Sequence, residues 1–243
     1  MDFFKLQTSH TSVRSFQNKP ISDELKKQLI TAAQSGSSSN FVQAYSIIEI
    51  QNNEKLNEIA EIANGNYFIP KSGAFYIFVT DLHRNYQIAK TTNEDFAAFT
   101  SMESLIVSIV DTTIAAQNMA TYAESQGLGI CYIGGIRNEI FRIAEILDLP
   151  SYTVPLFGMT VGYPSKKNDV KPRLPKAVIL HTDSYQNSSE TAIDDYDKTT
   201  REYYHARANN NQEASWSKKV QEHFALDKRP QVAKFLKQKG FHY

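Results

Sequence analysis

Near its start the chain reads "HTSVRSF", residues 10 to 16, with His10, Ser12 and Arg14 at alternate positions. In an extended segment side chains two apart point to the same side, so these three share one face and Thr11, Val13 and Ser15 the other. An imidazole, a hydroxyl and a guanidinium on one face make a small anion clamp. A second face of this kind occurs in "KPRLP", where Lys171 and Arg173 flank Pro172. Proline keeps the residue before it extended, which again sends both cations to one side. A bidentate guanidinium with a point-charge ammonium suits a phosphate monoester. Taken singly, each motif reads more simply as a surface loop with its charges facing water.

Two further stretches could border such a ligand. In "YIGG", comprising Tyr132, Ile133, Gly134 and Gly135, the missing Cβ atoms let backbone approach a flat molecule, or simply permit a strand-to-helix turn. "SSSNF" (37 to 41), with Ser38 and Ser39, follows the first long helical segment and can equally satisfy terminal carbonyls. Other chemistries have little support. The six histidines are scattered and the single cysteine, Cys131, has no metal-ligand spacing. There is no G-x-S-x-G, no G-x-x-x-x-G-K-[ST], and "GLGICY" departs from G-x-G-x-x-G at its last position.

The elements that must position these residues are legible from local pattern. "PISDELKKQLITAAQSG" predicts a helix capped by Ser22, acidic in its first turn, apolar at Leu25, Leu29 and Ala33, and stopped by Gly36. "AYSIIEI" (44 to 50) and "AFYIFVT" (74 to 80) predict strands, with a helix over 53 to 63 and a loop at "NGNYFIPKSG" between them. Residues 104 to 123 are long and nearly uncharged, yet Asp111, Gln117 and Asn118 fit hydrocarbon poorly. That predicts a helix buried on most sides, at the centre of the domain or in a subunit interface. Helical spacing follows from Arg137 to Leu147, closed by Pro150, and then a strand in "YTVPLFGMTVGYP" interrupted or entered at Pro155.

Beyond about residue 185 the composition becomes polar, but Ile193, Tyr196 and Tyr203, then Trp216, Val220 and Phe224, then Val232, Phe235 and Leu236 keep helical spacing. These predict a helical C-terminal arm, joined through "ANNNQEAS", that wraps the domain or a partner subunit. Lysine plus arginine equals aspartate plus glutamate at 26 each. The chain therefore has no global field for nucleic acid, and any anion site must be local. With one cysteine and no basic-then-apolar leader in "MDFFKLQTSH", a reducing cytoplasm is the expected location, without membrane attachment.

Taken in order, "HTSVRSFQNKPIS", "AQSGSSSNFVQAYSIIEI", "GLGICYIGGIRNEI", "LDLPSYTVPLFGMTVGYP" and "KPRLP" resemble the nitroreductase family of flavoproteins. The match is to its branch of oxygen-insensitive NAD(P)H nitroreductases and FMN reductases with a long C-terminal extension, and it covers essentially the whole chain. The resemblance implies an α+β fold, a mixed sheet flanked by helices, forming one FMN-binding domain over residues 1–243 with a helical extension from about 185. It implies a homodimer with FMN at the subunit interface, and electrons passing from NADPH or NADH to nitroaromatics, quinones or flavins. His10, Thr11, Ser12 and Arg14 are then FMN contacts, with Lys171 and Arg173 closing on the phosphate and ribityl end. Tyr132, Ile133, Gly134 and Gly135 meet the ring system, and Ser38 and Ser39 line it from the partner side. Asn66 stands where members commonly carry a longer glutamine.

The same resemblance implies that the cofactor carries the chemistry, so no protein acid or nucleophile is required. Arg14 stabilises the negative charge that develops on the reduced ring, and turnover is ping-pong. In NADPH-preferring members the loop matching "HARANNNQEASW" carries two arginines for the 2′-phosphate. Here Arg207 matches one, while Gln212, followed by Glu213, takes the place of the other, which predicts reduced NADPH preference. Two alternatives stand beside the leading reading: a dedicated flavin reductase supplying reduced FMN, and a flavin-binding or regulatory protein with little turnover.

Overall fold

Helix capping begins the fold as the sequence predicts. Ser22 accepts a hydrogen bond from Leu25 N at the start of α2 (Asp23–Gln34), whose Leu29 and Ala33 are buried; the short α1 (Phe3–Thr8) precedes it, and another short helix, α4 (His83–Ala89), comes later in the chain. The helix ends at Gln34 with Ser35 as its C-cap, the Ser35 N–H bonding back to carbonyls of the last turn, and Gly36 follows directly as the stop the sequence predicts. The structure is a computed structural model and describes residues 2–92, 97–207 and 212–242. Within the polar stretch 208–215, residues 208–211 lie outside the described residues.

Four strands form the sheet: β1 (Tyr45–Glu49), β2 (Ala74–Asp81), β3 (Gly129–Ile133) and β4 (Thr153–Gly162), in the order β1-β2-β4-β3. Each pairing is antiparallel, so the sheet of the described residues is antiparallel where a mixed one was expected, while the α+β class stands. β2 is buried along its whole length, as a central strand of a sheet covered on both faces must be. Pro155 enters β4 without stopping it. The β2–β4 register shifts between Phe78 and Val79, opposite the Pro155–Phe157 region, where an irregularity accommodates the residue lacking an N–H.

The chain divides into two compact units, residues 1–168 with 229–243, and residues 169–228. In the first, α2 and α5 (Met102–Ser125) cover one face of the sheet, packing Leu29, Ala116, Met119 and Ala120 against Tyr76, Phe78 and Met159. On the other face α3 (Asn53–Ile62) and α6 (Ile140–Ile146) bury Ile59, Ala60 and Ile143 against Phe75, Ile77 and Val79. The segment read as helical from Arg137 opens instead with a 3-10 turn, Gly134–Glu139, before α6. The last helix, α10 (Gln231–Gln238), returns to this unit, with Phe235 edge-on to Phe141.

α5 is buried on one side and leaves an apolar stripe uncovered, so of the two expected settings the domain centre alone does not account for it. Leu105, Asp111, Ala115 and Met119 face the core, but Met102, Ile106, Ile109 and Val110 are exposed. Among the described residues no helix is long and apolar enough to cross a membrane. The second unit consists of α7 (Lys176–Ile179), α8 (Glu190–Ala206) and α9 (Trp216–Phe224). Asp197 of α8 accepts from Ser217 N at 2.9 Å, Thr200 Oγ1 accepts from Trp216 N at 3.0 Å, and Tyr196 stacks edge-on with Trp216.

Candidate functional site

Residues 10 to 15 lie in no helix or named strand. Val13 N donates to Ile130 O at 2.8 Å, so the segment runs beside β3, and Phe16 then bridges to Pro164 past the end of β4. Val13 is buried while Arg14 is exposed, as the alternation predicts, but Ser15, expected on the same face as Val13, is exposed too, so the segment turns outward after Val13. Thr11 and Ser12 are half-buried, and the Ser12 carbonyl accepts from Asn168 Nδ2 at 3.1 Å. The thiol of Cys131, on β3 beside this segment, is buried. Burial pushes that thiol up, against opposing pulls from the Arg14 charge and a hydrogen bond with Ser12.

His10 is held by a residue that sequence reasoning missed. Its Nδ1 lies 2.6 Å from Oε1 of Glu124 in the last turn of α5. The same helix reaches Tyr132, whose Oη donates to Gln117 Oε1 at 3.3 Å and whose ring meets Phe157 edge-on. Burial, and after it the Glu124 carboxylate, push the Tyr132 phenol up to about 12. His10, Ser12, Arg14 and Tyr132 are thus gathered along one strand and one helix, although the chain separates them by more than a hundred residues.

At the end of β3, Ile133 is buried and the backbone turns through Gly134 and Gly135. A Cβ on Gly135 would collide with the Ala63 carbonyl oxygen, so packing between the turn and the end of α3 requires this glycine, independently of any ligand. Gly134 is less confined, with only the Arg137 guanidinium near the position of its absent Cβ. Arg137, also missed, is half-buried and donates to the Leu156 carbonyl. Asn66 sits exposed in the loop before Phe68 and Ile69.

Ser38 and Ser39 owe their position to Asp111, the buried carboxylate of α5. Its Oδ2 accepts from Ser38 Oγ at 2.6 Å and from Ala44 N at 3.1 Å, and its Oδ1 from Ser39 N at 3.0 Å. Ser38 Oγ accepts in turn from Gln43 N at 2.7 Å. This loop holds Asn40, Phe41 and Gln43 at φ of 46°, 58° and 49°, left-handed values that non-glycine residues adopt only under such constraint.

On the second unit, Lys171 and Arg173 are exposed. Arg173 donates to the Lys171 carbonyl at 3.1 Å, and the Lys171 ammonium lies over the Tyr204 ring. Arg207 caps the end of α8, its guanidinium over Tyr203. Gln212 and Glu213 line a cavity of about 700 Å³ with Arg201, His205 and Lys218, and Gln212 Oε1 accepts from Lys219 Nζ at 2.9 Å. Among the described residues no cluster of three or more histidine, cysteine or carboxylate side chains is placed to hold a metal ion.

The first unit therefore offers an outward-facing guanidinium, an imidazole with one nitrogen committed, and a turn at Gly134 with room beside it. That donor set suits an anionic cofactor with a flat ring. Comparison with known proteins agrees. Residues 8–163 match the Nitroreductase family and residues 171–243 the Nitroreductase family, C-terminal domain. The chain is 38% identical over 237 residues to an FMN reductase (NADPH) of Bacillus subtilis (strain 168), covering 96% of this chain and 95% of that protein. The solved structure of the NfrA1 nitroreductase from B. subtilis superposes with a TM-score of 0.94 at 37% identity, covering 99% of both chains. That of the NADPH:FMN oxidoreductase from Vibrio harveyi complexed with NAD+ gives a TM-score of 0.88 at 34% identity, again covering 99% of both.

Proposed function

The chain belongs to the nitroreductase family, and we infer that it is an FMN-dependent NAD(P)H oxidoreductase moving two electrons by a ping-pong route to nitroaromatics, quinones or flavins. The observation that best supports the site assignment is the contrast between buried Val13 and exposed Arg14 on the segment beside β3 that also carries the half-buried His10 and Ser12. Bound FMN supplies the ring that accepts hydride from the nicotinamide and passes two electrons to the acceptor.

The side chains have the tasks of holding and orienting. Arg14, exposed and permanently charged, offsets negative charge that gathers on the ring as it is reduced. His10, Thr11 and Ser12 supply directional hydrogen bonds, and the backbone at Tyr132, Ile133, Gly134 and Gly135 borders the ring. Ser38 and Ser39, on the loop fixed by Asp111, serve the flavin of a second copy, and the Asn66 amide is a further flavin contact. On the second unit Lys171 and Arg173 are assigned to the phosphate, and Arg207 to the nicotinamide dinucleotide. The exposed apolar face of α5 at Met102, Ile106, Ile109 and Val110 supports a homodimer. The lone buried thiol supports a cytoplasmic setting.

A second reading, release of reduced FMN to a partner, is favoured by the names of two relatives, an FMN reductase (NADPH) and an NADPH:FMN oxidoreductase. Purified protein is expected to be yellow, and anaerobic mixing with NADH or NADPH is expected to bleach it. Colourless protein that binds no added FMN would overturn the assignment. Comparing turnover on a nitroaromatic with turnover on free FMN separates the two readings.

A further inference from the structure

We propose that Glu124 is a positioning residue for the cofactor site and acts through His10; the proposal rests on the FMN reading above. Glu124 occupies the last turn of α5, where a carboxylate faces the negative end of the helix dipole and is disfavoured unless something compensates it. Its compensation is His10, 114 positions away, at 2.6 Å. The Glu124 side chain is mostly hidden and that of His10 about one-third exposed, so the carboxylate lies behind the ring and the ring faces outward.

An ionised carboxylate only accepts hydrogen bonds. His10 Nδ1 therefore carries a proton whether the ring is neutral or charged, and Nε2 is the nitrogen left for a ligand. With the ring charged, Nε2–H is a donor suited to a phosphate oxygen, and the His10–Glu124 pair adds no net charge to the site. His10 thus contributes direction, while Arg14 contributes charge.

The pair belongs to a polar stripe along α5 formed by Gln117, Thr121 and Glu124, which share a helix face. Gln117 Nε2 donates to Thr121 Oγ1 at 3.2 Å, Gln7 Nε2 donates to the same oxygen at 3.3 Å, and Gln117 Oε1 receives the Tyr132 hydroxyl. One helix face therefore orients both the imidazole of the clamp and the phenol at the end of β3.

The test uses the full chain stripped of FMN and labelled with 15N at histidine. At a pH where the ring is neutral, His10 in the wild type is expected to show the Nδ1–H tautomer, and Glu124→Ala is expected to move it toward Nε2–H. FMN titration should show Glu124→Ala and His10→Ala each about tenfold weaker, and the double variant no weaker than either single one. Glu124→Gln, whose amide oxygen still accepts from Nδ1, should stay within about threefold of wild type. A wild-type Nε2–H tautomer, additive losses in the double variant, or unchanged FMN affinity in Glu124→Ala would overturn the proposal alone. Wild-type protein that binds no FMN would overturn the cofactor reading and this proposal together.

Discussion

Asp111 and Ser38 meet at 2.6 Å across 73 positions of chain, and through this contact a buried carboxylate on α5 fixes the loop that precedes β1. Replacing Asp111 with Ala strands the N–H groups of Ser39 and Ala44 together with the Ser38 hydroxyl. The loss should be about 3 kcal/mol, since each buried unsatisfied group costs about 1–3 kcal/mol. Urea unfolding measures it, and amide exchange at Ser39 and Ala44 should accelerate along with it.

Arg14→Ala should weaken FMN binding by about ten- to a hundredfold, the loss of one charge-assisted contact at about 1.5–3 kcal/mol. It should also slow reduction of the bound flavin by about tenfold in anaerobic stopped-flow mixing with NADPH. A variant that binds FMN weakly but is reduced at the wild-type rate would assign Arg14 to the phosphate end instead.

The two glycines of the turn after β3 should respond differently. Gly135→Ala forces a methyl group against the Ala63 carbonyl and should cost about 1–3 kcal/mol in thermal or urea unfolding, without reference to ligand. Gly134→Ala meets only a flexible guanidinium, so it should fold as wild type and show its effect in FMN affinity. Equal stability losses at both positions would show that the turn is confined throughout.

Tyr76 is buried with its hydroxyl lacking a hydrogen-bond partner among the described residues. Burial, and then the neighbouring Glu49 carboxylate, push its phenol pKa well above the usual tyrosine value. The folded protein thus keeps a proton that the unfolded chain releases. That contribution to stability is complete below about pH 10 and is lost as the pH rises further. Tyr76→Phe should be neutral or stabilising by up to about 1 kcal/mol at pH 7, with a shallower alkaline decline. Urea midpoints at pH 7 and pH 10.5 check both statements.

Gln212 lines the cavity of the second unit and is engaged by Lys219. Gln212→Arg should raise kcat/KM for NADPH relative to NADH by about five- to fiftyfold, about 1–2.3 kcal/mol of charge-assisted binding to the extra phosphate. In the wild type, NADH should serve comparably or better. Steady-state kinetics with both donors decides this, and a strong wild-type preference for NADPH would refute the loop assignment.

Signals that depend on a few neighbouring residues were readable from the chain alone. Ser22 capping α2, the β-branched runs of β1 and β2, and the alternation that sends Val13 inward and Arg14 outward all arise from short-range geometry. Local pattern could not say which distant groups those residues would meet. Nothing in the local pattern singles out Glu124 until α5 is laid behind His10. Asp111 reads as a misfit in an apolar helix until the loop carrying Ser38 folds over it. Gly135 shows no packing reason to be glycine until the end of α3 lies against the position of its absent Cβ. Such contacts span tens to more than a hundred positions, and they form only when sheet and helices close together. The types and faces of the clamp residues were therefore determined by the sequence itself. The partners that orient the clamp were decided by tertiary packing, because buried carboxylates and backbone N–H groups find one another only once the core excludes water.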